Sequence, residues 1–295
     1  MSILSRVLHN GKILDSSEAI LRAGQLGVLS GWGVFSTIYA KDGALFAYDR
    51  HWARMSRDAA ALNVEMPASA DDLERDLLRL VEAAGRKTAV IRVCVIRNSP
   101  GIWEGPGSGR QSDIVAMLTD VKTWSKSVNL AIQPNGRFAA GEFSGAKVLS
   151  WAHNLTWTER AQQAGFDEVI LLNEHGRVSE CTSANIFAVY GNEVFTPPLS
   201  EGCLPGVTRE VLLNEIHVPG VTVSERVLTP EDLCGADAVF ITSTTRILLP
   251  VRAVAGHDLK GFVWTPESAP QKLHAAFNTY IDLDIAQRTR TMATA

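Results

Sequence analysis

Lys147 is the residue whose type and surroundings could support covalent chemistry. It lies in the sequence Gly-Ala-Lys-Val-Leu-Ser-Trp at positions 145–151, among small and apolar residues and directly before a predicted helix. A lysine that is shielded from water has a lowered pKa, and its neutral amine can form a Schiff base with a carbonyl compound. Most lysines are ordinary surface residues, so the hypothesis depends on what accompanies Lys147.

Glu180 follows 33 positions after Lys147. A carboxylate against the ring nitrogen of a heteroaromatic cofactor keeps that nitrogen protonated, so that the ring can accept electrons. Taken alone, this glutamate is simply a solvated residue of a loop. Together, the amine and the carboxylate are candidates for chemistry on a cofactor that carries both a carbonyl group and a ring nitrogen.

Two segments of the second half are candidates for binding a phosphate. Gly206 precedes a helix predicted from Thr208 to Ile216, where free N–H groups, the helix dipole and the Thr208 hydroxyl favour an anion. Glycine also lets the backbone come close to a ligand. The run Ser243-Thr244-Thr245 follows a buried strand, where hydroxyl and N–H groups could close the other side of the site. The alternative for this run is a turn with local hydrogen bonds.

Pyridoxal 5′-phosphate matches all of these features, since it combines an aldehyde, a ring nitrogen and a phosphate. Arg54, on a helix predicted from His51 to Leu62, could reach the phosphate with a charge-assisted hydrogen bond. Trp32, Phe35 and Tyr39 would form an apolar, aromatic pocket. Such a pocket suits a branched or aromatic substrate side chain better than a dicarboxylate.

The elements that must position these residues are those of a mixed α and β protein, because tracts rich in β-branched residues alternate with helical patterns. Residues 41–43, Lys-Asp-Gly, predict a hairpin turn between the strands Val34–Ala40 and Ala44–Tyr48. Asp49 is the predicted cap of the helix that follows. Length suggests two domains, which we place at residues 1–120 and 128–295 with a linker at 121–127.

Composition excludes several other classes of protein. The 295 residues are 46% hydrophobic and 20% charged, with a net charge of -4 and no basic cluster for nucleic acid. No apolar run reaches the roughly 18–20 residues that span a membrane. The N-terminus lacks the features of a signal peptide, and the four cysteines are not spaced for zinc or redox chemistry. We therefore expect a cytoplasmic enzyme without a metal site.

Several motifs, in order and spacing, resemble those of class IV (fold type IV) pyridoxal-phosphate-dependent aminotransferases, the family of branched-chain and D-amino-acid aminotransferases. The similarity covers nearly the whole chain, which makes it far more specific than any single motif. The motifs are Gly33-Val34-Phe35, His51-Trp52-Ala53-Arg54, the run from Lys147 through Ala161 to Leu172, the run from Gly176 to Glu180, the run from Ser183 to Phe187, the run from Leu204 to Arg209, and the run from Ala238 to Thr244 followed by Pro250-Val251.

The resemblance implies an α+β fold of two domains, a small N-terminal α/β sandwich and a larger C-terminal barrel-like α/β domain, with the cofactor between them. It also implies a homodimer in which a partner loop completes each site. By position, Lys147 resembles the lysine that carries the cofactor, and Glu180 resembles the partner of the ring nitrogen. Residues at the positions of phosphate ligands are Arg54, Val207, Thr208 and Thr244.

The chain departs from the family pattern at positions near the substrate. Trp151 stands where many members place a tyrosine, and an indole cannot replace a phenol as an acceptor or an acid. Tyr39 stands where many amino-acid transaminases carry an arginine. Thr37 resembles a threonine of aminodeoxychorismate lyases, which use the same cofactor for an elimination. Thr245, at the end of the hydroxyl run, is assigned to the substrate side.

Two arginines of the predicted strand Lys87–Arg97 are candidates for the substrate carboxylate. Arg92 resembles the carboxylate-binding arginine of branched-chain enzymes, and Arg97 resembles that of D-amino-acid enzymes. On an alternating strand the two side chains point to opposite faces, so only one of them is expected to enter the site. The sequence leaves this choice open.

The predicted reaction is a ping-pong transamination between an amino donor, most simply a branched-chain or other apolar L-amino acid, and a 2-oxo acid. After the donor displaces Lys147, the freed amine moves the proton that the reaction requires. Aminodeoxychorismate lyase is one alternative, and a D-amino-acid or (R)-amine transaminase is another. A non-catalytic binder of a phosphate ligand is a more remote one, which the joint presence of Lys147 and Glu180 disfavours.

Overall fold

The computed structural model describes residues 3–18, 21, 25–66, 68–98 and 109–294. By the packing of its residues, the chain divides into two compact units. The first comprises Met1–Lys122, Ala146–Trp151 and Ile281–Ala295, and the second comprises Thr123–Gly145 and Ala152–Tyr280. Two of these segments, Ala146–Trp151 and Ile281–Ala295, lie within the predicted second domain but belong to the first unit. Because a compact unit need not fold alone, the predicted domain boundaries remain a proposal.

The first unit is built on a six-stranded sheet with helices. Its elements are β1 (Ile3–His9), β2 (Lys12–Asp15), α1 (Leu26–Ser30), β3 (Gly33–Lys41), β4 (Ala44–Leu45), α2 (Tyr48–Ala61), α3 (Ala70–Ala83), β5 (Thr88–Arg97) and β6 (Ser112–Thr119). The strand order is β2-β1-β6-β5-β3-β4, and neighbouring strands are antiparallel. The predicted long strand and the predicted helix after the hairpin are confirmed, with small shifts at their ends.

The alternation of side chains along β3 separates a core face from a second face of this sheet. Val34 and Ile38 are fully buried in a core that also contains apolar residues of α2 and α3. Phe35, Thr37 and Tyr39 therefore point to the opposite face of the sheet. That opposite face carries most of the residues predicted from the sequence to contact the substrate.

The start of α2 differs from the prediction in two respects. Strand β4 ends at Leu45, and the helix begins at Tyr48, so the predicted strand to Tyr48 is wrong. Asp49 lies in the first turn of the helix and is not its cap. The cap position is Ala47, in the left-handed region at φ 48°, with no side-chain cap of its own. Instead, Asp284 accepts a hydrogen bond from the Ala47 N–H at 2.9 Å, which no local signal near Ala47 predicts.

The second unit contains a nine-stranded sheet. Its elements begin with β7 (Val128–Gln133), α4 (Ala152–Gln163), β8 (Glu168–Leu172), β9 (Val178–Cys181), β10 (Asn185–Tyr190), β11 (Glu193–Thr196), α5 (Val207–Asn214) and β12 (Thr222–Glu225). They continue with α6 (Pro230–Gly235), β13 (Ala238–Ser243), β14 (Ile247–Val254), β15 (His257–Asp258) and α7 (Ala269–Thr294), whose last part belongs to the first unit. Short 3₁₀ helices lie at Leu199–Glu201 and Lys260–Phe262.

This second sheet is curled around its own core. Its strand order is β12-β11-β10-β13-β14-β7-β8-β9, with β15 paired to β14. The core collects fully buried residues from five of these strands, namely Leu130, Ile170, Ile186, Ile241 and Val251. Because β9 at one end leads directly into β10, the Cys181 N–H can bond to the Ala184 carbonyl at 2.8 Å. The fold class predicted from the sequence, a mixed α+β protein with a barrel-like second sheet, is confirmed.

The described residues contain neither a membrane span nor a metal cluster. No helix among them is both long enough and apolar enough to cross a bilayer. No group of three or more histidine, cysteine or acidic side chains in this part of the chain is arranged to hold a metal ion.

Candidate active site

The segment that carries Lys147 is attached to β3 as a short additional strand. The Phe35 N–H donates to the Lys147 carbonyl at 3.1 Å, and the Leu149 N–H donates to the Gly33 carbonyl at 2.9 Å. On its other side, the Lys147 N–H donates to Oδ2 of Asp58 at 3.0 Å. Both backbone polar groups of Lys147 are therefore held, which fixes the starting point of its side chain.

The two glycines of Gly31-Trp32-Gly33 allow this close approach. A Cβ on Gly33 would lie 2.4 Å from the Val95 carbonyl oxygen and 2.6 Å from Cδ1 of Leu149. Gly31 has a φ of +62°, and a Cβ there would lie 2.9 Å from Cα of Ser150. Because side chains do not fit at either position, this run is explained by the packing of the lysine segment against β3.

Lys147 shares the ring of Phe35 with an arginine. The Lys147 Nζ lies 4.5 Å from the centroid of the Phe35 ring, and Cζ of Arg92 lies 3.9 Å from it. Trp151 meets the same ring edge-on, with 6.1 Å between the ring centroids, and its own ring lies 5.9 Å from Cζ of Arg92. We refer to Phe35, Arg92, Lys147 and Trp151 as the Phe35 cluster. It combines an amine, a guanidinium group and two aromatic surfaces.

Arg97 and Trp32 lie away from this cluster. Cζ of Arg97 is 4.3 Å from the Trp32 ring, and its guanidinium group donates to the carbonyl of Asn63. The Trp32 indole donates to the Leu62 carbonyl at 2.8 Å, and its ring packs on the core shared with α2 and α3. The structure thus separates Arg92 from Arg97, as expected for an alternating strand, and gives Trp32 and Arg97 a structural environment.

Thr37 and Tyr39 extend the face that carries the Phe35 cluster. Thr37 is the cross-strand partner of Arg92, and Tyr39 is that of Val90. Partial burial raises the pKa of the Tyr39 phenol, although the nearby Lys41 ammonium acts in the opposite direction. Tyr39 therefore presents a protonated hydroxyl at neutral pH.

Arg54 belongs to a buried polar group on the helix side of β3. Its Nη2 donates to Oγ of Ser36 at 2.9 Å, and the same oxygen lies 2.9 Å from Nδ1 of His51. Arg54 only donates, so the Ser36 hydroxyl accepts from it and keeps one proton and one lone pair, with which it can either donate to Nδ1 or accept from it. Burial, reinforced by the positive charges of Arg54 and Lys147, holds the pKa of His51 well below its usual value.

This environment of His51 predicts a pH dependence of folding. Below about pH 6.5, the unfolded chain takes up a proton at His51 that the folded chain does not, so stability falls as the pH falls. One such proton contributes a slope of up to about 1.4 kcal/mol per pH unit. We expect His51→Asn, whose amide can replace Nδ1, to give a shallower decline of the free energy of unfolding between pH 6.5 and 5, measured by urea denaturation of cofactor-free protein.

His274→Asn is the control for this measurement. Burial also lowers the pKa of His274, so that variant removes a separate part of the slope. The free energy of unfolding of the double variant should therefore decline less steeply with falling pH than that of either single variant. Identical slopes in wild-type protein and His51→Asn would contradict the assignment of a neutral, buried His51.

Glu180 lies on β9 and is buried, at 6% exposure, rather than in a solvated loop. Its Oε1 accepts a hydrogen bond from Nε of Arg137 at 3.1 Å and forms an ion pair with Nη2 at 3.1 Å, while Oε2 accepts the Leu204 N–H at 3.1 Å. Arg137 in turn donates to the side-chain oxygen of Asn154 at 3.4 Å. A carboxylate has about four lone-pair sites, so these three donors leave room for one more partner.

The start of α5 has the features of an anion site. The helix begins at Val207, its cap residue is Gly206, and no side chain caps it. A Cβ on Gly206 would lie only 2.1 Å from Oδ1 of Asn185, whose amide donates to the Leu204 carbonyl at 2.9 Å. Val207 and Thr208 are both buried. Asn185 therefore packs closely against this turn and holds it by a hydrogen bond. Only a glycine at position 206 leaves room for that contact.

The hydroxyl run at the end of β13 forms a turn with local hydrogen bonds. The Arg246 N–H donates to Oγ of Ser243 at 3.2 Å, and Ser243 lies 3.4 Å from the hydroxyl of Thr245. The Thr245 carbonyl accepts the indole N–H of Trp124 at 2.8 Å. Thr244, between them, is half-buried. Ser243 is thus engaged within the turn itself.

A buried ion pair supports this turn. Nη2 of Arg246 lies 3.1 Å from Oε2 of Glu168, and the exposed fractions of the two side chains are 8% and 2%. The Ser183 hydroxyl donates to the same carboxylate, and Arg246 also donates to the Ser183 carbonyl at 3.1 Å. The pair ties the turn after β13 to the segment between β9 and β10.

Several residues of these groups were not found from the sequence. The motif containing His51 was recognised, but the role of His51 was not. Nothing in the local sequence marks Asp58, Ser36 or Arg137, because each matters through a partner distant in the chain. Asn185 could have been found, since it is a polar residue at the start of a strand of otherwise apolar residues.

The chain is similar to known proteins over most of its length. Residues 33–254 match the family model described as amino-transferase class IV. The D-alanine aminotransferase of Bacillus licheniformis is 28% identical over 258 residues, which cover 86% of this chain and 90% of that protein. The branched-chain-amino-acid aminotransferase of Escherichia coli strain K12 is 26% identical over 271 residues, covering 85% of each.

A solved structure agrees with the fold. The T.th. branched-chain amino acid aminotransferase complexed with N-(5'-phosphopyridoxyl)-L-glutamate superposes with a TM-score of 0.83 at 23% identity, over 97% of this chain and 95% of that one. The chain belongs to the class IV aminotransferase family and is an enzyme with the fold type IV architecture. The predicted family and its aminotransferase class are thereby confirmed.

Proposed function

We propose that this enzyme uses pyridoxal 5′-phosphate to transfer an amino group between an apolar amino acid, most simply a branched-chain L-amino acid, and a 2-oxo acid. The observation that carries the proposal is the Phe35 cluster, in which an amine and a guanidinium group lie 4.5 and 3.9 Å from one ring centroid. An α-amino acid carries its reacting carbon next to a carboxylate. A reactive amine beside a carboxylate-binding arginine is the arrangement that such a substrate requires.

The residues present fit the cofactor. In the first unit, Nε2 of His51 is a buried group without a hydrogen-bond partner among the described residues, close to the positive Arg54. In the second unit, the uncapped start of α5 at Gly206, Val207 and Thr208 suits a phosphate. The solved structure named above is of a protein complexed with a phosphopyridoxyl compound. We carry over Thr244 as a further phosphate ligand from the resemblance, and from the hydroxyl run we add Ser243 on the phosphate side and Thr245 on the substrate side.

The cofactor, when bound, supplies an electron sink for the carbanion at the substrate α-carbon. Nζ of Lys147 would hold the cofactor covalently and, once the substrate amine had displaced it, would take the proton from the substrate α-carbon and return one. Glu180 would keep the ring nitrogen protonated. Arg92 binds the substrate carboxylate, while Phe35 and Trp151 exclude water and accept an apolar side chain. Trp151 contributes packing only, because it has no phenol.

The choice of Arg92 over Arg97 makes a testable prediction. Replacing Arg92 with methionine should raise the KM for the 2-oxo acid by about ten- to a hundredfold, because a charge-assisted hydrogen bond to the carboxylate is lost. The same change at Arg97 should leave KM within about threefold and lower the melting temperature instead, since Arg97 stacks on Trp32 and bonds to Asn63. Steady-state kinetics and thermal denaturation of both variants measure this difference.

The outcome that would contradict this choice is a reversed pattern. A large rise in KM for Arg97→Met, with Arg92→Met unchanged, would indicate that the substrate lies on the other face of β5. The D-amino-acid alternative assigned from the sequence would then gain support. Arg92→Lys serves as a further control, because it keeps the positive charge but loses the planar guanidinium group that can donate two parallel hydrogen bonds. Its KM for the 2-oxo acid should lie between those of wild-type protein and Arg92→Met.

Single donors distinguish the proposal from its alternatives. Purified enzyme with added cofactor is incubated with L-leucine, L-glutamate, D-alanine or an (R)-arylalkylamine, each with a 2-oxo acid, and the new amino acid is measured by chiral chromatography. Product from L-leucine supports the branched-chain proposal. Product only from D-alanine or the (R)-amine retains transamination but overturns the substrate. Pyruvate released from aminodeoxychorismate without an oxo-acid acceptor would identify a lyase, as Thr37 suggests.

A homodimer and a cytoplasmic location are carried over as further proposals. The homodimer follows from the resemblance alone and is tested by sedimentation equilibrium. All four cysteines are free, which fits a reducing compartment. Fractionation of source cells with an antibody to the protein tests the location.

A further inference from the structure

Asp58 is a buried carboxylate that contacts the backbone of the proposed reactive residue. It lies on α2 and is only 2% exposed. Its Oδ2 accepts the Lys147 N–H at 3.0 Å, and its Oδ1 is paired with the guanidinium group of Arg57, which is half exposed to solvent. A buried carboxylate is costly unless it is hydrogen-bonded, so its place against one backbone N–H is informative.

The Lys147 segment depends on few bonds. Its pairing with β3 is a single bridge between Val34 and Val148, which makes Phe35 and Lys147 the next pair along the ladder. In a regular antiparallel ladder, residues of that pair exchange both hydrogen bonds, so the Lys147 N–H would point at the Phe35 carbonyl. Here Asp58 accepts that N–H. The carboxylate thus takes the place of a ladder bond where the strand leaves the sheet.

Helix α2 connects this contact to the proposed phosphate site. Asp58 follows Arg54 by four residues, which places the two side chains one helical turn apart, with a rise of about 6 Å, on the same side of α2. One rigid helix therefore sets the separation between the arginine and the backbone of Lys147. A bond from a helix is less adaptable than one from a loop, which suits a group that must be held accurately.

We propose that Asp58 is a positioning residue that fixes the backbone of Lys147, and through it the reactive amine, at a set distance from Arg54. The inference rests on the proposed role of Lys147 in the reaction. Asp58 does not touch the reacting atoms. Its effect is exerted through a charge-assisted hydrogen bond to the backbone, which is stronger than a neutral one.

The test is hydrogen exchange of the Lys147 amide in cofactor-free protein, resolved to single residues by mass spectrometry. In Asp58→Ala, exchange at Lys147 should accelerate by roughly ten- to a hundredfold, because a hydrogen bond to a charged group is lost. Asp58→Asn keeps an oxygen acceptor without the charge and should lie between wild-type protein and Asp58→Ala. Arg57→Ala removes the exposed ion-pair partner of Asp58 but keeps the hydrogen bond from the Lys147 N–H to Asp58. Its Lys147 amide should therefore exchange as in wild-type protein.

Two results would overturn the proposal. One is equal exchange at Lys147 in wild-type protein, Asp58→Ala and Asp58→Asn. The other is acceleration in Asp58→Asn that extends uniformly through β5 and α3, which would indicate general destabilisation and not a local role. Because exchange is measured without cofactor or substrate, it is independent of catalysis. Failure of the proposed function would appear instead as retained activity in a Lys147 variant.

Discussion

Replacing Lys147 with alanine is expected to abolish transamination, with a loss in kcat/KM of at least roughly 10⁴-fold. The expectation follows from the composition of the Phe35 cluster. Lys147 supplies the only amine of that cluster, and Arg92 cannot act as a base because its guanidinium group stays protonated. No other described side chain within the cluster can form the covalent bond or move the proton. Both functions are therefore lost together.

Lys147→Arg is the matched control for this variant. It keeps a positive charge over the Phe35 ring, so it should fold with near wild-type stability, yet it should be as inactive as the alanine variant. Borohydride reduction followed by peptide mass spectrometry should find the cofactor attached to Lys147 in wild-type protein and absent from both variants. Attachment at another lysine, or activity in Lys147→Ala, would refute the assignment. A protein that binds the cofactor without any reducible bond would be the non-catalytic binder.

The parts of the fold that could be predicted are those with a short-range cause. The hairpin at residues 41–43 is predicted by its turn residues, and the helix that carries Arg54 is predicted by its apolar stripe. The opposite orientation of Arg92 and Arg97 follows from strand periodicity alone. The sequence did not show which of the two arginines lies beside Lys147. That depends on the pairing of β3 with the distant segment that contains Val148.

The features that could not be predicted depend on contacts between distant segments. Strand β9 was missed because its four residues, Val-Ser-Glu-Cys, do not form an alternating pattern of their own, and their pairing with β8 defines them. The cap of α2 is similar. Asp49 is the local candidate, but the Ala47 N–H is satisfied by Asp284, from the far end of the chain. A local preference was overridden by a tertiary contact in each case.

The residues of the candidate site also differ in whether a local motif or a distant contact defines them. Lys147, Glu180 and Gly206 could be proposed from the sequence because each lies in a motif that indicates a chemical role without a structure. Asp58 and Arg137 were not found, because they act on those residues and not on a ligand. The sequence therefore predicts the groups that we propose to touch the cofactor better than it predicts the groups that position them. This difference is expected, since positioning can be achieved by many residue types.

Glu180→Gln is expected to lower kcat/KM by roughly 10²–10³-fold, since the charge that would hold a proton on the ring nitrogen is removed. The change should also lower the stability of the cofactor-free protein by about 1–3 kcal/mol. The reason is geometric. Oε1 and Oε2 accept hydrogen bonds from Arg137 and from the Leu204 N–H. A glutamine has only one side-chain oxygen, so its NH₂ group would face either Arg137 or the Leu204 N–H, donor against donor. Arg137 would also lose its ion-pair partner within the protein.

Stability and function can be separated with a second substitution at Arg137. In the double variant Glu180→Gln and Arg137→Gln, the unpaired charge is gone and the two amides can hydrogen-bond to each other, so stability should recover. Activity should not recover, because the negative charge near the ring nitrogen is still missing. Denaturation of cofactor-free protein and steady-state kinetics measure the two effects independently. If activity returned together with stability, Glu180 would be a structural residue of β9. Another group would then have to keep the ring nitrogen protonated.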